Sequence, residues 1–242
     1  MKNIFLFTGY DRTDLIEFFL QNNFQIFGII SPYSAKYVKN MKNLYSLAIK
    51  ESIPILNIKS INESHYKKII QDSLLYSSGY PYLIKESIYK KFKYALNCHP
   101  SLLPKNRGKY LEYIFLNNEE ISGTSVHHIS QGCDDGPIIL QKSFKVELED
   151  NVNSLKMKSR KLELELLKEI FEKKLYKKSG TPQREEDATC YLISRTPADS
   201  EVPNSLSLSD AYLISRAFNQ DIYPGFFIYK GKKIYFRMEL SD

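Results

Sequence analysis

Residues 1–30 read MKNIFLFTGYDRTDLIEFFLQNNFQIFGII, and the order of chemistry along them sets the architecture. Ile4 to Thr8 is a short apolar run that Gly9 ends. Asp11-Arg12-Thr13-Asp14 then opens a helix through Phe19, with Leu15, Phe18 and Phe19 supplying an apolar stripe, and Phe24 to Ile30 is a second apolar run. Strand, helix and strand in so short a span make the repeating unit of a parallel sheet, since parallel neighbours need a crossover connection. The turn after the first strand falls at the carboxyl ends of the strands, where open α/β sheets bind ligands.

The alternation continues outward. Helices are expected over Met41 to Glu51, Glu63 to Gln71 and Ile84 to Lys91, and strands over Ile53 to Leu56, Leu74 to Ser78 and Ala95 to His99. Pro100 has no amide hydrogen for the ladder and sends the chain out of the sheet. Thr124 to Ile129 and Ile138 to Val146 read as further strands around the turn Gln131-Gly132-Cys133-Asp134-Asp135-Gly136-Pro137, and Asn151 to Leu175 reads as a long helix. The fold class expected is α/β, a parallel sheet with a small C-terminal helix-plus-hairpin appendage. Punctuation by Gly180, Pro182, Pro197 and Pro203 divides the chain into three parts: a main domain over 1–178, which the resemblance given below makes the catalytic one, a loop-rich connector over 179–205 and the appendage over 206–242. In the last, Leu208 to Phe218 looks helical and Phe226 to Phe236 forms a hairpin turning at Lys230-Gly231-Lys232. Too small for a core of its own, it is expected to pack on the main domain or on a second subunit.

Composition narrows the function classes. With 43% hydrophobic and 26% charged residues the chain is of globular type, and no apolar run nears the roughly 18 residues a bilayer span needs. The N-terminus has one Lys and a short apolar run but no small-residue cleavage site, so the expected location is cytoplasmic. Three separated cysteines, Cys98, Cys133 and Cys190, give no metal-ligand spacing and fit reduced thiols. The net charge of +6 is compatible with an anionic substrate. Lysine and arginine are not clustered with stacking aromatics, which argues against a nucleic-acid module.

The chemistry concentrates in Asn97-Cys98-His99-Pro100-Ser101-Leu102-Leu103-Pro104. Asn97 and His99 lie two apart at a strand's end, so both side chains point to one face. The Asp134 turn lies beyond a strand ending in His127-His128-Ile129 and can swing a carboxylate toward them. An amide and an imidazole suit stabilisation of an oxyanion in acyl transfer to an amine, with the carboxylate taking the proton. Taken alone, Asn-x-His is more often structural and Asp-x-Gly is mostly a turn.

These residues, with Arg107-Gly108, Gly123-Thr124-Ser125-Val126-His127 and Asp134-Asp135-Gly136-Pro137-Ile138-Ile139, resemble the signature of the formyltransferases that use N10-formyltetrahydrofolate. The resemblance covers roughly residues 1–175. It implies a Rossmann-like core, an Asn97 that binds the formyl oxygen, a His99 that stabilises the charge developing there, and an Asp134 that orients the imidazole and helps deprotonate the amine. The spacing selects Asp134 over Asp135, which becomes the turn residue. Tyr80-Pro81-Tyr82-Leu83-Ile84 resembles the family's pterin-binding segment, so Tyr82, Leu83 and Ile84, with Asp134, are expected to contact folate. His127 matches a family histidine, read as structural or as acting through its neighbours. His128 departs from the residue usual there and is left to point outward. No metal is implied.

Tyr191 to Ser200, including Arg195-Thr196-Pro197, and Tyr223-Pro224-Gly225-Phe226-Phe227 resemble the tail of the family's tRNA and sugar enzymes. The tRNA enzymes carry a larger basic barrel, for which no residues follow Asp242, so a nucleotide-linked amino sugar is the expected acceptor. The resemblance favours dTDP-linked sugars, with dTDP-4-amino-4,6-dideoxyglucose first, for surface polysaccharide (O-antigen, lipopolysaccharide) synthesis. The alternatives are a dTDP-3-amino sugar, methionyl-tRNA or glycinamide ribonucleotide formylation, or a non-catalytic folate or nucleotide-sugar binder. Arg12, Lys105 and Arg195 are candidates for the diphosphate, each also readable as a surface residue. The C-terminal aromatics could stack a base or form the interface of a homodimer, and ordinary packing is the plain alternative.

Overall fold

A computed structural model describes residues 2–32, 40–108, 111–193, 196–218 and 224–238. Arg195 and Tyr223 lie outside the described residues. The chain divides into two compact units that interleave along the sequence, one made of 1–99, 125–141 and 163–183, the other of 100–124, 142–162 and 184–242.

The first unit is built on a sheet that begins with β1 (Asn3–Phe7) and β2 (Gln25–Ile30), connected by helix α1 (Thr13–Gln21). Helix α2 (Lys42–Lys50) leads to β3 (Ile55–Leu56), and helix α3 (Ser64–Gln71) leads to β4 (Leu74–Ser78). Then come the four-residue helix α4 (Glu86–Tyr89) and β5 (Tyr94–His99). These five strands are parallel, as the alternation of apolar runs and amphipathic helices requires. The two-residue strand β6 (Arg107–Gly108) and helix α5 (Leu111–Leu116) come before β7 (Ile121–His128). Strand β8 is Ile138–Lys145, and the order across the sheet is β3-β2-β1-β4-β5-β7-β8. Past β5 the parallel pattern ends: β7 runs antiparallel to it, pairing Asn97 with His127 and His99 with Ser125. After Pro100 the chain leaves the sheet and re-enters at the same end, running back along β5.

Alternation sorts the side chains onto two faces. Ile4, Leu6, Tyr76, Leu96, Cys98 and Val126 join one buried cluster with Leu15, Phe19, Leu166 and Ile170. Phe5, Phe7, Leu75, Ile84 and Phe92 form the other. Sheets buried on both faces read as continuous apolar runs, which is how β1 reads in the sequence.

In the second unit, α5 and helix α7 (Leu208–Ser215) supply a third cluster. Ile114, Phe115, Leu155, Val202, Ala211, Ala217 and Phe218 are buried together, so the C-terminal residues obtain a core by packing against segments from the middle of the chain. The two-residue strand β9 (Cys190–Tyr191) pairs with β6, and strands β10 (Phe226–Tyr229) and β11 (Lys232–Tyr235) form an antiparallel hairpin. Its turn residues Lys230 and Gly231 both have positive φ, 47° and 75°, the geometry of a tight two-residue hairpin, where glycine is unstrained. Among the described residues no helix is long and apolar enough to cross a membrane.

Candidate functional site

The site lies where β5 ends. Leu96 and Cys98 point into one apolar cluster, so the alternating positions Asn97 and His99 point to the opposite face. The antiparallel partner of Asn97 is His127, on the same face. Asp134 reaches the same place from the turn after β7, and it does so with φ of 53°, a left-handed conformation that a residue with a side chain adopts at a cost.

Four polar side chains converge. The Asn97 amide nitrogen donates to Oδ1 of Asp134 at 3.0 Å and to Nε2 of His127 at 3.1 Å. Nδ1 of His127 lies 2.8 Å from the His128 carbonyl oxygen, which can only accept, so Nδ1 carries the proton and Nε2 accepts from Asn97. His127 Nε2 is also 3.4 Å from Oδ1 of Asp134. The other oxygen, Oδ2, lies 3.3 Å from Nδ1 of His99 and 3.5 Å from Sγ of Cys133. The side chains of His99 and His127 are 6% and 2% exposed, and that of Asp134 is 15% exposed, so the group is nearly dry yet open at the carboxylate. A carboxylate beside Nδ1 stabilises positive charge on the His99 ring.

Asp135 is directed elsewhere, its carboxylate hydrogen-bonded by the Ser130 hydroxyl within the turn. Gly136 packs so closely beneath β7 that a Cβ there would sit 1.9 Å from the His128 carbonyl oxygen, which is why this turn takes a glycine. His128 is engaged rather than merely outward, its Nε2 donating to the Lys178 carbonyl at 2.7 Å. Cys98 faces away from the site, and burial, followed by the nearby Glu163 carboxylate, pushes its thiol well above the usual range.

The remaining sequence candidates are distributed as follows. Tyr82 and Leu83 are exposed and Ile84 is buried in the Phe5–Phe7 cluster, in the loop following β4, the parallel neighbour of β5. This loop therefore shares the carboxyl end of the sheet with Asn97 and His99. Among the described residues no backbone hydrogen bond uses the amides or carbonyls of Tyr82, Leu83 and Ile84. Arg12 is 4% exposed and held inside the unit, 2.8 Å from both Glu163 and Asp14 and hydrogen-bonded to Ser78. Burial disfavours its charge, but the carboxylates of Glu163 and Asp14 outweigh burial and raise its pKa. Lys105 is exposed in the second unit, where the Ser101 hydroxyl donates to its carbonyl at 2.8 Å. Arg107 braces that unit through a two-point pair with Glu185, at 3.0 and 2.8 Å.

Sequence reasoning missed Gln183. Its amide nitrogen donates to the Asp134 carbonyl at 2.8 Å and the Gly136 carbonyl at 2.7 Å, a contact that nothing local in Thr181-Pro182-Gln183 announces.

A mostly parallel α/β sheet with an Asn, His and Asp cluster at a strand's carboxyl end is a Rossmann-like arrangement whose polar groups can serve acyl transfer. The formyl transferase family model matches residues 59–171, which include Asn97, His99, His127 and Asp134. Over 187 residues the chain is 29% identical to the bifunctional polymyxin resistance protein ArnA of Wigglesworthia glossinidia brevipalpis, covering 75% of this chain and 28% of that protein's length. The fold is similar to a 4-N formyltransferase from Francisella tularensis, with a TM-score of 0.77 and 21% identity over 100% of this chain and 98% of that one. It is also similar to an N-formyltransferase from Helicobacter canadensis solved with folinic acid and dTDP-3-aminofucose, with a TM-score of 0.74 and 21% identity over 97% and 86% of the two chains. At these identities the structural likeness establishes the fold.

Proposed function

We propose that the protein is a sugar N-formyltransferase, moving a formyl group from N10-formyltetrahydrofolate to the amine of a dTDP-linked amino sugar. The observation that carries the reading is the convergence of Asn97, His99 and His127 on the Asp134 carboxylate within a formyl transferase domain. N10-formyltetrahydrofolate supplies the formyl group. Its pterin ring needs donors and acceptors on an edge, and the unspent backbone groups of Tyr82, Leu83 and Ile84 fit that need. Nε2 of the protonated His99 donates to the formyl oxygen as negative charge builds there, and Asn97 joins it by turning the hydrogen it gives Asp134 toward that oxygen. The Asp134 carboxylate, opposite Nδ1 of His99, balances charge on the ring and accepts the proton that the attacking amine loses.

For the acceptor, support comes from the folds similar over nearly the whole chain, sugar N-formyltransferases among them, one solved with a dTDP-amino sugar. We favour dTDP-4-amino-4,6-dideoxyglucose, a role in surface polysaccharide synthesis, a cytoplasmic location and a homodimer using the C-terminal aromatics. The division into 1–178, 179–205 and 206–242 is kept as a functional partition, with the two compact units cutting across it. Lys105 and Arg195 are the diphosphate candidates. Arg12 is assigned there only through its place at the end of β1, since its guanidinium is already paired.

An acceptor panel tests this. With N10-formyltetrahydrofolate present, tetrahydrofolate release is followed for dTDP-4-amino, dTDP-3-amino and UDP-amino sugars, glycinamide ribonucleotide and initiator methionyl-tRNA. Turnover is expected with a dTDP-amino sugar at least about tenfold above the rest, a difference within reach of pocket contacts. Preference for the tRNA or the ribonucleotide overturns the sugar assignment.

A further inference from the structure

Residues 178–183 follow the long helix and run back along the start of β8. Three attachments hold this run. His128 Nε2 donates to the Lys178 carbonyl at 2.7 Å, and Ile138 and Thr181 exchange two backbone hydrogen bonds of 2.8 Å. The third is the Gln183 carboxamide, with both of its amide hydrogens placed on the Asp134 turn. The two carbonyls it takes belong to Asp134 itself and to Gly136. The first of them belongs to the residue that holds a left-handed φ of 53°, the conformation in which the Asp134 carboxylate faces Asn97, His99 and His127. Gly136 offers no slack on its other side, where it lies against the His128 carbonyl. A half-buried amide donating to two carbonyls on one strained turn is a clamp, and losing it removes a donor from each.

We propose that Gln183 is a positioning residue for formyl transfer, holding the Asp134 turn so that its carboxylate stays in register with His99. This rests on the reading of Asp134 as part of the reacting centre. Through these two bonds to the Asp134 and Gly136 carbonyls Gln183 acts on the Asp134 turn. Misplacing a reacting group by about 1 Å can cost on the order of 100-fold in rate, so the effect belongs in kcat.

The test compares Gln183→Met, Gln183→Glu and Asp134→Asn by steady-state kinetics from pH 5.5 to 8.5, with a thermal melt of each. Methionine keeps the length and removes both donors. The carboxylate of the Gln183→Glu variant repels the two carbonyls at high pH, but once protonated it donates to one of them. Expected are a kcat about 10- to 100-fold lower in both Gln183 variants at pH 8, KM values within about twofold of wild type, and a severalfold recovery relative to wild type at low pH in Gln183→Glu alone. A kcat unchanged in both while Asp134→Asn is inactive overturns the positioning role and leaves the site reading intact. A loss that follows the thermal midpoint, or one with no pH-dependent recovery in Gln183→Glu, overturns it in favour of plain structural support. Full activity in Asp134→Asn instead removes the site reading beneath it.

Discussion

Asp134 divides its two oxygens between partners, Oδ1 toward Asn97 and His127 and Oδ2 toward His99. His127 sits behind this pair. With Nδ1 tied to the His128 carbonyl, its Nε2 holds one Asn97 hydrogen, which fixes the rotation of the amide. His127→Ala should therefore lower kcat by roughly tenfold, less than loss of a group that touches the reacting atoms, because Asp134 still holds the amide's other hydrogen. Steady-state kinetics with saturating sugar checks this, and a loss as large as that of His99→Ala would place His127 in contact with substrate. Asn97, His99 and Asp134 were legible as a spacing and as a resemblance. The role of His127 was not, because the atom that accepts from Asn97 depends on a neighbouring backbone carbonyl, and no one-dimensional pattern carries that.

At the scale of elements, the start of the long helix α6 (Val152–Glu172) shows how polar groups anchor a boundary. Asn151 caps it, its side chain accepting from the Asn153 and Ser154 amides at 2.9 and 3.2 Å. Asp150 is buried beside it and accepts from Lys158, Ser154 and the Glu147 amide at 2.5, 2.7 and 2.8 Å. Burial pushes this carboxyl up, but those hydrogen bonds outweigh burial and hold it below the usual aspartate range. A depressed carboxyl contributes stability that is fully present above its unfolded value and is lost as pH falls through the folded one. Asp150→Asn should cost about 1–2 kcal/mol at pH 7, discounted because Lys158 is partly in water, and the gap from wild type should close in acid as the depressed Asp150 carboxyl takes up its proton. Urea denaturation at several pH values measures it, and a gap that persists in acid contradicts the electrostatic origin. The strand and helix order of the first hundred residues was legible because each amphipathic period met one consistent environment. Helix α5 was not, since five of the six residues of Leu111–Leu116 are apolar or aromatic and show no helical period, its stability coming from packing of Ile114 and Phe115. Helix α4 is shorter than the expected Ile84 to Lys91 because Ile84 is drawn into the core below the loop.

Across the molecule, the first unit is closed by a buried polar group that joins distant parts of the chain. Glu163 on α6 accepts from the Tyr76 hydroxyl of β4 at 2.5 Å and pairs with Arg12 before α1 at 2.8 Å. Removing one partner of such a pair leaves the other charge buried, so Glu163→Ala should destabilise by about 3–5 kcal/mol, read by urea denaturation, and a cost under about 1 kcal/mol would contradict the network's role. Arg12 was legible as a cation near the ligand-binding end of the sheet, but its partner lies on the last helix of the unit, a distance in sequence that local reading does not span. The central claim is that the Asp134 carboxylate completes the reacting centre. It is tested most directly by the rate of tetrahydrofolate release from N10-formyltetrahydrofolate with the preferred amino sugar, in wild type and in Asp134→Asn at matched folded concentration. The account predicts a kcat about 100-fold or more lower in the variant with little change in KM, and a rate within about threefold of wild type would contradict it.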